Sequence, residues 1–100
     1  MMQRLNGQVA IVTGSSSGIG KAIALRFGQE GAKVVVAARR QSLCLKVKEQ
    51  IFEKGGEATV VQTDISEEDQ VKRLMEETVR RYGRIDILVN NAGIFGWGKI

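Results

Sequence analysis

Three serines and three glycines crowd the stretch "VTGSSSGIGKAIALRF": Gly14, Ser15, Ser16, Ser17, Gly18 and Gly20. An apolar run rich in β-branched residues ends at Gly14, and an amphipathic pattern begins at Gly18. A glycine-rich turn that opens a helix suits phosphate, because the helix N-terminus offers unpaired N–H groups and a partial positive charge. Glycine lets the backbone turn tightly and lets a pyrophosphate approach with no Cβ in the way. Serine hydroxyls add donors. The spacing is G-x-x-x-G-x-G, which differs from the usual G-x-G-x-x-G dinucleotide pattern. A Walker A loop fits poorly: Gly14 lies one residue too far from Gly20-Lys21, and Ala22 stands where Ser or Thr would meet magnesium. Spacing alone also allows a tight strand–helix turn that holds nothing.

Little else in the chain has the side chains for chemistry. There is no histidine, so the commonest general base and the commonest zinc ligand are both missing. The lone Cys44 cannot form an internal disulfide, and it reads as a part-buried helix residue rather than a catalytic thiol. No transition-metal site is expected. The formal charge of +4 is spread through interleaved acids and bases, so no basic tract invites nucleic acid. No apolar run is long enough to span a membrane, and "MMQRLNGQVAIV" has no signal-peptide pattern; a cytoplasmic address is expected.

The glycine turn needs elements on either side to hold it. "QVAIVTG", "KVVVAA", "EATVVQTD" and "IDILVN" read as four strands, the first two as fully buried runs. Between them lie three helical patterns. The first carries Ile19, Ala22, Ile23 and Phe27 at helical spacing and stops at Gly31. The second carries Leu43, Val47 and Ile51 with Leu45 and Phe52 beside them, and ends at Gly55-Gly56. In the third, Ser66 and Asp69 match a capping box, and Val71, Leu74, Met75, Thr78, Val79 and Tyr82 form the inward stripe. Glu68/Lys72, Asp69/Arg73, Glu76/Arg80 and Glu77/Arg81 are spaced as i, i+4 pairs, and Gly83 closes the helix. Apolar strands alternating with helices imply a parallel sheet covered on both faces. The expected class is α/β, a Rossmann-like doubly wound parallel sheet, partial at about four strands and three helices over residues 1–100. The fourth strand would leave a long apolar edge open, so the chain is expected to be a fragment or truncated product of a larger single domain.

"TGSSSGIG" (Thr13 to Gly20) together with "NNAG" (Asn90 to Gly93) resembles the short-chain dehydrogenase/reductase family. Its motifs are T-G-x-x-x-G-x-G after the first strand and N-N-A-G after the fourth, and "TDIS" places Asp64 where the family has an Asp. The resemblance covers essentially the whole chain. It implies that Gly14, Ser16, Ser17, Gly18 and Ile19 line a cofactor's ribose and pyrophosphate. It implies that Asp64 accepts from the adenine amino group with the Ile65 backbone beside it, and that Asn91, Ala92 and Gly93 border the cofactor farther along. Asn90 would brace the sheet.

An NAD-selective site usually has an acid at the end of the second strand, for the ribose hydroxyls. Here that end reads "VVVAARRQ": Ala38 takes the acid's place, no acid occurs between Glu30 and Glu49, and Arg39 and Arg40 follow directly. A guanidinium can grip a 2′-phosphate bidentately, and an Asp would repel it. The expected cofactor is therefore NADP(H) rather than NAD(H), with Arg39 the main contact and Arg40 secondary.

The resemblance implies hydride transfer between a nicotinamide and a small-molecule alcohol or carbonyl substrate. The proton relay would come from a Tyr-x-x-x-Lys segment, a Ser and a further Asn, the Lys charge favouring phenolate. None of these is identifiable here. Tyr82 is the only tyrosine, with Asp86 four residues on, and it completes a core stripe. No catalytic residue is assigned, and the span alone is expected to be inactive. Trp97 reads equally as a substrate contact or a core residue. The alternative reading is a truncated, non-catalytic dinucleotide-binding module. A homo-oligomer is expected of the complete protein, by the resemblance.

Overall fold

Every residue of β1 (Val9–Thr13) is buried, which is what a central strand with helices on both faces requires. The computed structural model describes residues 3–91. In chain order β1 is followed by α1 (Gly18–Gln29), β2 (Lys33–Ala38), α2 (Gln41–Glu53), β3 (Glu57–Gln62), α3 (Glu68–Tyr82) and β4 (Ile87–Val89). The four strands form one parallel sheet in the order β3-β2-β1-β4. This is the expected Rossmann-like architecture. The strand order reverses between β1 and β4, so the carboxyl ends of the strands meet a crevice at that point.

Strand alternation divides the core into two layers. Ala10, Val12, Val34, Val36 and Ala58 pack with Ala24, Cys44, Val47 and Ile51 of α1 and α2. Ile11, Val35 and Ala37 pack with Leu74 of α3, and Met75, Tyr82 and Ile85 close over them. Cys44 lies on α2 as expected, but it is fully buried in the first layer rather than part-buried.

The helices differ from expectation in informative ways. On α1 the buried positions are Gly20, Ala24 and Gly28, while Ala22 is exposed and Ile19 is 73% exposed. Close approach decides this: a Cβ on Gly28 would stand 2.8 Å from Ile51 Cγ2. A stripe of small residues lets α1 lie against its neighbours, and larger apolar residues fall to its flanks. On α2, Leu45 and Phe52 are about half exposed, and Cys44 joins Val47 and Ile51 on the inner face.

At α3 the capping box does not form. Glu67 is the N-cap, with no side-chain cap bond. The Ser66 hydroxyl donates instead to Asp64 Oδ1 at 2.6 Å. Of the spaced charge pairs none is an ion pair; Arg80 pairs with Glu77, and Arg73 Nη2 donates to the Gln62 carbonyl at 3.0 Å. Exposed pairs of this kind contribute little, so burial of Leu74 and Thr78 has the larger part in placing α3. Gly83 ends the helix at φ 82, a left-handed cap, its N–H donating to Val79.

Asp86 ties the lower end of β4 to β1. Its N–H donates to the Val9 carbonyl at 2.9 Å, and its Oδ2 accepts from the Val9 N–H at 2.8 Å. That backbone bond first, and the Arg84 guanidinium after it, hold the Asp86 carboxyl below its usual range. A depressed carboxylate contributes stability that is complete above the unfolded-state value and lost as pH falls through the folded-state value. Asp86→Asn has no such carboxylate to protonate, so once neutral-pH stability is matched with urea, its acid unfolding, monitored by circular dichroism, should begin at lower pH than that of the parent. Identical acid limbs would remove Asp86 as a contributor.

Candidate functional site: a cleft at the carboxyl ends of the strands

The loop between β1 and α1 is shaped by its glycines. Gly14 has φ 63 and Gly18 φ 58, left-handed values that a side chain rarely adopts. Gly20 has a different constraint. A Cβ there would lie 2.2 Å from the Gly14 carbonyl oxygen and 2.8 Å from Asn91 Nδ2. The first turn of α1 is thus pressed against the loop that precedes it.

Each of the three serines has a separate place. Ser15 is fully buried: its hydroxyl donates to the Val12 carbonyl at 2.7 Å and accepts the Ala37 N–H at 3.0 Å, which locks the loop to β1 and β2. Ser16 and Ser17 face the cleft described below. Ser17 is the N-cap of α1 and makes no side-chain cap bond, and no acid occupies the first turn. The first N–H groups of α1 are left without a side-chain acceptor, which suits an anion.

Thr13 joins the other side. Its hydroxyl lies 3.2 Å from the Val89 carbonyl and 3.4 Å from Asn90 Oδ1, and it accepts the Asn91 N–H at 2.9 Å. Asn91 Nδ2 approaches the Gly14 carbonyl at 3.4 Å. The two ends of the sequence pattern, "TGSSSGIG" and "NN", are therefore in direct contact, and Asn90 meets β1 as a brace would.

A cleft of about 530 Å³ opens where β1, β2 and β3 end. Of the expected ligand residues, Gly14, Ser16, Ser17, Arg39, Arg40, Asp64 and Ile65 line it together. Gly18 and Ile19 stand at the start of α1, and Asn91 lies against Gly14; these three are not in its lining. Ala92, Gly93 and Trp97 lie outside the described residues. Sequence reasoning did not assign Ala37, Leu43, Thr63 or Ser66 to the site, and they also line the cleft. Thr63 was recoverable, since it precedes Asp64 at a strand end; Leu43 is reached only because α2 starts so soon after Arg40.

The charges of the cleft are mixed. Arg39 and Arg40 are exposed at its β2 side, and the first turn of α2 has no acid. Asp64 lies beyond the end of the neighbouring strand β3. The Ser66 hydroxyl and then the Ser66 N–H hold its carboxyl below the usual range, with a contribution from the Arg39 charge. Both bonds fall on Oδ1, and Oδ2 has no partner among the described residues. The result is a glycine–serine loop at a helix N-terminus, a pair of cations and a carboxylate around a single cavity, a donor set chemically suited to a phosphorylated group.

Tyr82 is not among the residues that line this cleft. Tyr82 is on α3, its ring between Lys33 Nζ at 5.6 Å and the Arg81 guanidinium at 5.7 Å, and burial pushes its phenol up. It packs in the second core layer, as expected. Among the described residues no group of three His, Cys, Asp or Glu could hold a metal, and no helix is long and apolar enough to cross a membrane.

Fold and cleft together define an α/β unit of the doubly wound type with a polar cleft at the carboxyl ends of its strands. The sequence matches the short chain dehydrogenase family over residues 8–100, and the chain belongs to that family. Versicolorin reductase 1 of Aspergillus parasiticus is 46% identical over 98 residues, which cover 97% of this chain and 37% of that protein. A 3beta-hydroxysteroid dehydrogenase of Mediterraneibacter gnavus is 40% identical over 99 residues, 99% of this chain and 36% of that protein. The chain thus spans little more than a third of the curated relatives it matches. Among solved structures, a metagenomic short-chain oxidoreductase in complex with NADP superposes with a TM-score of 0.87 at 44% identity, covering 90% of this chain and 41% of that one.

Proposed function

We propose that this chain is the NADP(H)-holding part of an oxidoreductase that acts on small-molecule alcohols or carbonyl compounds. The observation that carries the reading is the convergence of the glycine–serine loop, Arg39–Arg40 and Asp64 on one cleft, with Ala38 where an acid would select NAD(H). The metagenomic relative in complex with NADP supports it.

In this reading the N–H groups of Gly18, Ile19 and Gly20 and the hydroxyls of Ser16 and Ser17 receive the pyrophosphate. Asp64 accepts from the adenine amino group beside Ile65. Arg39 grips the 2′-phosphate, with Arg40 adding charge. Asn91, Ala92 and Gly93 continue the border toward the nicotinamide. When bound, the cofactor supplies or accepts a hydride. The residues assigned here bind and orient it, and none moves a proton, so the chain alone should bind without turnover. The complete protein is proposed to be a cytoplasmic homo-oligomer.

Calorimetric titration with NADP⁺ and NAD⁺ tests the assignment. A charge-assisted contact contributes about 1.5–3 kcal/mol, which is about ten- to a hundredfold in affinity. Arg39→Ala should weaken NADP⁺ by that factor and leave NAD⁺ unchanged. Equal or tighter NAD⁺ binding that ignores Arg39→Ala would overturn the choice of cofactor.

A further inference from the structure

Arg39 has no regular element to hold it. It lies in the short connection between Ala38, the last residue of β2, and Gln41, the first of α2, and it is exposed. An arginine on such a connection can lose its aim, because a long side chain carries roughly 2 kcal/mol of rotamer entropy and the peptide beneath it is not in a ladder.

One cross-strand bond addresses that peptide. Gln62 Nε2 donates to the Arg39 carbonyl at 2.9 Å. Because the acceptor is a carbonyl, only the NH₂ end of the glutamine amide can make this bond. Gln62 is the last residue of β3 and is in register with Ala38, so its side chain reaches one residue beyond the β2 ladder. The Gln62 carbonyl in turn accepts from Arg73 Nη2 of α3 at 3.0 Å. These residues line a smaller cleft of about 400 Å³ with Asp64 and Gln70, and both Arg39 and Asp64 belong to it and to the main cleft. The Gln70 side chain also folds back, its Oε1 accepting the Asp64 N–H at 2.8 Å. Two glutamine amides thus hold the peptides of two charged residues that line both clefts.

We infer that Gln62 is a positioning residue for cofactor selectivity: by fixing the Arg39 peptide it aims the guanidinium at the 2′-phosphate, with Arg73 holding Gln62 from behind. The inference rests on the proposed NADP(H) reading and deepens it. Gln62 itself touches no cofactor in this account, so its effect must pass through Arg39 and must be confined to the cofactor that carries the extra phosphate.

The test is a double-mutant cycle on the full chain, with Kd read for NADP⁺ and NAD⁺. Gln62→Met keeps the side chain's length and removes the donor. It should weaken NADP⁺ about three- to tenfold and leave NAD⁺ unchanged, the size of one lost neutral hydrogen bond. In the Arg39→Ala background the same substitution should have no effect on NADP⁺. Equal loss for both cofactors would show general damage and overturn the inference, as would an undiminished effect without the Arg39 side chain or no effect at all. If Arg39→Ala weakens NADP⁺ but Gln62→Met does not, only the role of Gln62 falls. If Arg39→Ala leaves NADP⁺ unchanged, the cofactor reading falls and takes this inference with it.

Discussion

Gly20→Ala is expected to destabilise the chain and abolish dinucleotide binding, although helix propensity alone argues the reverse. Alanine exceeds glycine by about 1 kcal/mol in a helix interior, and Gly20 lies inside α1. The new Cβ, however, would stand 2.2 Å from the Gly14 carbonyl oxygen and 2.8 Å from the Gly14 carbonyl carbon. Both are backbone atoms of the loop itself, so no side chain can swing away. Relief requires α1 to separate from the loop, which pulls on the Ser15 bonds to Val12 and Ala37 and on the Asn91 contact with Gly14. Overpacking of this kind costs about 1–3 kcal/mol. With that cost outweighing the propensity gain, a chain of this size should lose at least about 4 °C in Tm for each net kcal/mol. Gly18→Ala is the control: a Cβ there meets nothing within 4 Å, and its cost of about 1–2 kcal/mol comes from φ 58 alone. Thermal unfolding of both variants separates the two causes. A Gly20→Ala chain as stable as the parent would show that the close approach does not constrain the loop.

The same contrast explains what was readable in the sequence. Strand order, helix order and the closing role of Gly83 follow from apolar runs and punctuation, which are local signals. The inward face of α1 was not local. Ile19 and Ala22 fit a helical apolar stripe, but the sheet and α2 approach so closely that Gly20, Ala24 and Gly28 take the inner positions. Ser66 failed as a cap because α3 starts one residue later, with Glu67 at the N-cap, while Asp64, two residues before Ser66, draws the Ser66 hydroxyl and N–H to its carboxylate. At the site, residues adjacent to the motifs were legible because the motifs sit at strand ends. Gln62 and Arg73 were not, since they act across strands on a peptide rather than on a ligand. Their spacing in sequence carries no sign of that.

Ala38→Asp should produce the largest change in cofactor choice. Ala38 is the last residue of β2, only 9% exposed, and it lines the cleft beside Arg39. A carboxylate there would meet a 2′-phosphate at close range. Juxtaposed like charges cost several kcal/mol, and each 1.4 kcal/mol is about tenfold, so NADP(H) affinity should fall by about a hundredfold or more. It would also draw the Arg39 guanidinium into an ion pair, removing the proposed phosphate contact in the same step. NAD(H) has ribose hydroxyls where NADP(H) has its phosphate, and an Asp can accept from them. Its affinity should rise, and the order of preference should invert. The position is near the first core layer, where Ala38 packs over Cys44 and Val47, so part of any loss could be structural. Urea unfolding of the same variant separates that share, because a stability defect weakens both cofactors alike whereas electrostatic discrimination moves them in opposite directions. NADP(H) binding that stays within about threefold of the parent would place the 2′-phosphate away from the end of β2, because a charge so near a bound dianion cannot be silent at that distance.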